Sequence, residues 1–209
     1  IVTRGATQCF ICQTVINLLD LESTNLSEFF STLSALSRDE SLRRGTTLWK
    51  TIVEWLKSTS VTSKWDDNQV LALALDYLQA NKEGEKSTVV VDGYKVVGLA
   101  RMLIMFADVE EQRAEENCLT GQDLMKKLER SPFGKMLAEI SDLLRDIRNR
   151  AYINVSKVDN CLSLLYSLAL EAGKPQNSQI DLLLKKTLSA VFKEVSYFIK
   201  NRLSNDLIK

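Results

Sequence analysis

The stretch "TVVVDGYKVVGLARMLIMF", residues 88–106, decides the fold class. Two readings compete for it. Asp92-Gly93 sits between two runs rich in β-branched residues, Thr88–Val91 and Tyr94–Val97. A type I′ turn needs φ > 0 at both central positions, so Asp-Gly in that setting is a strong hairpin signal. In the rival reading Asp92 caps one helix that runs from Tyr94 through Phe106. Its second half, Leu99–Phe106, is nearly all apolar, so such a helix is buried on most of its sides.

Outward from that stretch the signals are helical. "TQCFICQTVINLLD" (7–20) places Cys9, Cys12, Val15, Ile16 and Leu19 on one face. Asn25 and Glu28 form a capping-box pattern ahead of Leu26, Phe29, Phe30, Leu33 and Leu36. Thr46, just after Gly45, is positioned to cap "TLWKTIVEWLKS", and Val70, Leu73, Leu75 and Leu78 recur in the next segment. Downstream, Thr120 with Asp123 opens "GQDLMKKLER", and Ser131-Pro132 starts a helix with the stripe Phe133, Met136, Leu137, Ile140, Leu143, Leu144 and Ile147. Ser156 is placed to cap a helix with Val158, Cys161, Leu162, Leu165 and Leu168 inward, ended by Gly173 and Pro175. Asn177 would cap a last helix over 178–203, with Leu188, Val191, Phe192 and Val195 among its inward residues.

These spacings predict an all-α fold. The expected form is an irregular multi-helix bundle or an armadillo/HEAT-like stack of about 8–9 antiparallel helices, with a small β-hairpin near 88–97 under the first reading. Two prolines and eight glycines in 209 residues argue against an all-β sandwich, which needs many turns. No Gly-, Pro- or Ser-rich linker divides the chain, so it reads as one helical domain, residues 1–209. A subdivision follows the charge. Residues 1–116 hold 12 Lys and Arg against 17 Asp and Glu, a net −5; residues 117–209 hold 15 against 10, a net +5. The chain starts Ile1-Val2-Thr3 with neither an initiator methionine nor a signal-peptide pattern, and is expected to be an intracellular piece of a larger protein, cytoplasmic or nuclear. No apolar run reaches the roughly 18 residues of a membrane span.

There is no histidine. That removes Ser–His–Asp and Cys–His catalysis and the HExxH zinc sites. Cys9 and Cys12 lack a second close pair, since Cys118 and Cys161 stand 43 residues apart, so core packing is favoured over zinc or redox chemistry. Glu110, Glu111, Glu115 and Glu116 read as a solvated acidic face rather than a metal site. No catalytic residue, metal or cofactor is assigned.

Two features suit a partner. Trp49 and Trp55 lie off the main stripe of their helix and, if exposed, mark a recognition surface. Arg145, Arg148 and Arg150 form a basic segment, although Asp142 and Asp146 can pair with Arg145 and Arg150 along the helix. The main functional reading is a non-catalytic interaction domain, not an enzyme, that binds a protein or peptide helix through these five residues. A second copy of the chain is also an admissible partner. The alternative is a helical nucleic-acid-associated module, RNA-binding or viral nucleoprotein-like, that uses the basic C-terminal half. A winged-helix reading of 88–97 is disfavoured, because Asp66, Asp67 and Asp76 make the preceding helix acidic.

Overall fold

The computed structural model of the chain describes residues 25–57, 65–79, 89–146, 155–173 and 178–206. The Cys9–Cys12 segment lies outside them. In chain order the elements are α1 (Leu26–Ala35), a 3₁₀ turn (Glu40–Leu42), α2 (Thr47–Lys57), α3 (Asp67–Gln79), α4 (Val89–Glu116), α5 (Gly121–Arg130), α6 (Pro132–Asp146), α7 (Val155–Glu171) and α8 (Gln179–Asp206). No strand occurs among the described residues. The chain is all-α, as the spacings predict.

The hairpin near 88–97 does not form. Asp92-Gly93 lies inside α4, which begins at Val89, so Asp92 is not a cap either. The reason is burial. Val96, Leu99, Ala100 and Leu103 are buried at spacings of three, one and three, the rhythm of a helix rather than a strand. A lone two-stranded hairpin would have no sheet to join, and such hairpins are at best marginal in water. The surrounding helices reward only the helical period.

α4 is the centre of the packing. It touches α1, α2, α5, α6, α7 and α8. Leu99, Ala100, Met102, Leu103, Ile104, Met105 and Ala107 are all fully buried. Each of the large side chains among them stabilises the fold by roughly 1.5–3 kcal/mol relative to exposure. α1 crosses α4 at Gly98. A Cβ there would run into Ser34 Oγ and sit 2.7 Å from the Ser34 backbone nitrogen, so only glycine lets the two backbones approach this closely.

One charge is built into this interior. Arg101, 3% exposed, donates from Nε to Glu171 Oε2 of α7 (2.8 Å) and from Nη1 to the Leu36 carbonyl at the C-terminus of α1 (2.7 Å). A buried guanidinium survives only when paired and hydrogen-bonded, and here the free carbonyls of a helix end also favour a cation.

The helix ends follow local sequence. Asn25 Oδ1 accepts the Glu28 N–H (2.9 Å) while Glu28 Oε2 accepts the Asn25 N–H (3.1 Å), the reciprocal box expected. Thr46 Oγ1 accepts the Trp49 N–H (3.3 Å). Thr120 Oγ1 accepts the Asp123 N–H (3.2 Å). α6 buries Phe133, Met136, Leu137, Ile140 and Leu144 against α3, α5, α7 and α8. Two inward expectations are corrected. Leu162 is 40% exposed and Phe192 is 67% exposed, because neither α7 nor α8 is covered on its outer face by another described helix.

Candidate functional site

A polar node sits where α2, α4, α7 and α8 converge. Gly45, at φ +87°, turns the chain so that Arg44 points inward just ahead of α2. Arg44 Nε donates to both Asp108 oxygens (3.0 and 3.2 Å) and Nη1 donates to the Ala172 carbonyl (3.2 Å). Nη2 reaches Glu111 Oε2 (3.4 Å) and Ser178 Oγ (3.3 Å), and Asp181 Oδ1 lies 3.8 Å from Nη1. Glu111 in turn accepts the Ser178 hydroxyl (2.9 Å) and the Ile180 N–H (3.1 Å), so a carboxylate from α4 caps the N-terminus of α8.

The node is an ion-pair cluster in which one guanidinium serves three carboxylates. Burial pulls the Arg44 guanidinium down, but the Asp108 hydrogen bonds and the charges of Asp108, Glu111 and Asp181 more than offset it, so its pKa is raised. Burial pushes the Glu111 carboxyl up, against the Ile180 N–H, Ser178 and Arg44, which favour the charged form. A cleft of about 510 Å³ opens beside it, lined by Glu111, Glu115, Leu124, Ser178 and Gln179 among others. Its charged lining residues are Arg44, Glu111 and Glu115, and Arg44 is already paired with Asp108, Glu111 and Asp181, so the cleft is a poor seat for phosphate.

The tryptophans do not form an exposed patch. Trp49 is 2% exposed, and its Nε1 donates to Asp108 Oδ2 (2.7 Å), joining it to the same node. Trp55 is half-buried and packs with Phe29 and Trp65, ring centroids 6.0 and 5.5 Å away. Trp49 is buried in the stack, and Asp108 supplies the acceptor that its buried indole N–H needs.

Nor is the glutamate run one solvated face. Glu111 is turned inward, Glu110 pairs with Arg113 (2.9 Å), Glu116 pairs with Lys57 (2.6 Å), and Glu115 lines the cleft. Among the described residues no group of three or more His, Cys, Asp or Glu could hold a metal ion. Cys161 is buried, and burial pushes its thiol up to about 11, so it packs as an unreactive apolar side chain. Arg145 is exposed at the end of α6 and pairs with Asp142 (3.0 Å). Arg148 and Arg150 lie outside the described residues.

The surface that stands out was not singled out by sequence reasoning. α8 packs on α6, α5 and α4 by one side. Its outer side carries Lys185, Lys186, Lys193 and Lys200, all exposed, with Phe192 and Tyr197 (67% and 44% exposed) among them. Among the exposed described residues of α8 there is no carboxylate. Asp181 is buried and Glu194 is only partly exposed. α5 lies alongside, joined by Lys186 to Glu129 (3.5 Å), and adds exposed Lys126, Lys127 and Arg130. The signal was present in the sequence as lysines 186, 193 and 200, seven apart, but the inward expectation for Phe192 hid the outer face.

Fold and surface together define an all-helical stack with a basic outer helix that exposes aromatic rings. In an alignment 221 positions long that covers 98% of this chain, the sequence is 26% identical to tRNA (guanosine(18)-2′-O)-methyltransferase TARBP1 of Mus musculus, and it spans 14% of that protein's length. No family model matches the chain, and no solved structure matches it.

This similarity corrects two expectations. A non-catalytic protein-interaction scaffold gives way, because nearly the whole chain resembles part of an enzyme that modifies RNA. The assignment "not an enzyme" falls for the same reason. Sequence reasoning missed this because the features it scored, histidine-dependent constellations and phosphate loops, are local, while the resemblance is spread thinly along the chain. No helix among the described residues is long and apolar enough to cross a membrane.

Proposed function

We propose that the chain is an RNA-binding helical segment of a tRNA-modifying, methyltransferase-type protein, and that it holds RNA along the outer side of α8. The observation that carries this reading is the four-lysine outer side of α8, with no exposed carboxylate between Gln179 and Lys200. The similarity to a tRNA methyltransferase supports RNA as the polyanion.

In this reading the chain works as one helical unit with two charge roles. The acidic residues 1–116 supply the frame and repel phosphate. The basic residues 117–209 attract it, so the RNA approaches from the α8 and α5 side. Lysines that neutralise phosphates release condensed counterions, which makes binding fall steeply as salt rises. The Glu111 cap holds the N-terminus of α8 in place against the stack.

The test is binding of a tRNA transcript by the full chain, followed by fluorescence anisotropy across a salt series. Log affinity should fall linearly with log salt. The double substitution Lys185→Glu and Lys193→Glu should weaken binding and lower the slope by about one for each lysine that contacts a phosphate. Affinity that does not change with salt, or a double variant that binds like the parent, overturns the proposal.

A further inference from the structure

Building on the RNA reading of α8, we infer that this helix takes unpaired RNA, with a base stacked on the exposed ring of Phe192. Phe192 is the focus because its placement is costly. The helical pattern would allow it inside, beside Val191, which is buried, yet the ring is 67% exposed. Exposed aromatics on a basic ridge are what a single strand needs. Every unpaired base has a free π-face, and stacking on Phe or Tyr adds affinity without regard to sequence. A duplex keeps its bases stacked on one another and offers only grooves and phosphates, so it gains nothing from the ring.

The spacing along α8 fits that use. Lys185 lies seven residues before Phe192, about 10 Å along the axis and nearly on the same side of the helix. Lys193 is the next residue, and Lys200 lies about 12 Å beyond Phe192 along the axis. Cations therefore stand on both sides of the ring, where the phosphates flanking a stacked nucleotide would fall. Tyr197, 44% exposed, offers a second ring across the lysine row.

The experiment compares an unstructured single-stranded RNA with a hairpin duplex of equal nucleotide number, bound by the full chain at one fixed salt concentration. The parent chain should prefer the single strand. Phe192→Ala should weaken single-strand binding by roughly 5- to 100-fold and leave duplex binding and the salt slope unchanged, while Phe192→Trp should keep the preference. Circular dichroism should show the same helix content in all three, since the ring is mostly outside the core. Equal affinity for the two RNAs, or a preference that survives Phe192→Ala, overturns this inference and leaves the broader RNA reading standing. If neither RNA binds in a salt-dependent way, the broader reading falls and this one with it.

Discussion

α4 and α8 are both 28 residues long, yet they do opposite work. α4 is surrounded. Its polar residues Arg101, Asp108 and Glu111 are turned inside and spent on partners in α1, α7, the Arg44 segment and the start of α8. Among the described residues α8 is covered on one side only, and its lysines are exposed. The difference teaches where to look for function in a stack of helices. Charge inside the stack fixes how helices meet, because a buried ion must find a specific counterpart. Charge on the outer side of α8 stays exposed even where it pairs, as Lys186 does with Glu129, so a one-sign patch there can meet a ligand.

Substitutions can break or sharpen that contrast. The largest effect is expected at Arg44. Arg44→Ala leaves Asp108, Glu111 and Asp181 without their shared countercharge and should cost about 3–5 kcal/mol, read as a lowered urea midpoint. A loss comparable to a surface substitution would mean that the node is not truly buried. Next comes Gly98→Ala, where the added methyl meets Ser34 of α1. It should destabilise by about 1–3 kcal/mol despite alanine's better helix propensity, whereas a stabilised variant would show that α1 does not cross here.

Gly93→Ala is the opposite case on the same helix. Nothing lies within 4 Å of the added carbon, so it should stabilise by roughly 0.5–1 kcal/mol, seen as a raised melting temperature. A clear loss there would revive the hairpin, where Gly93 needs φ > 0. The smallest effect on stability is expected from Lys193→Glu on α8, within about 0.5 kcal/mol, one of the two substitutions that together should impair RNA binding. A large stability loss would place α8's outer side in the structural half of the contrast.

Much of the fold was legible in residue order. The capping box at Asn25 and Glu28, the Thr46 and Thr120 caps and the α6 stripe from Phe133 to Leu144 all rest on contacts within a few positions, and each formed as the pattern predicts, while Ile147, the last residue of that stripe, lies outside the described residues. The 88–97 segment misled because Asp-Gly between β-branched residues is a local signal too, and here it lost to the burial available to a helix at the centre of the stack. The candidate site was legible only in its charge. The excess of basic residues after 116 is readable, but whether Phe192 faces α6 or solvent depends on how α8 rolls on its neighbours. Likewise Trp49, Arg44 and Asp108 are separated by up to 64 positions, and nothing in residue order says that they meet.

The sequence alone determined that this protein is helical, that histidine chemistry is absent and that positive charge gathers in the second half, because composition and short-range periodicity suffice for those. Only the tertiary structure decided which charges are consumed inside, around Arg44 and Arg101, and which are left outside along α8. That division depends on which helix faces are covered, and covering is set by contacts between residues far apart in the chain.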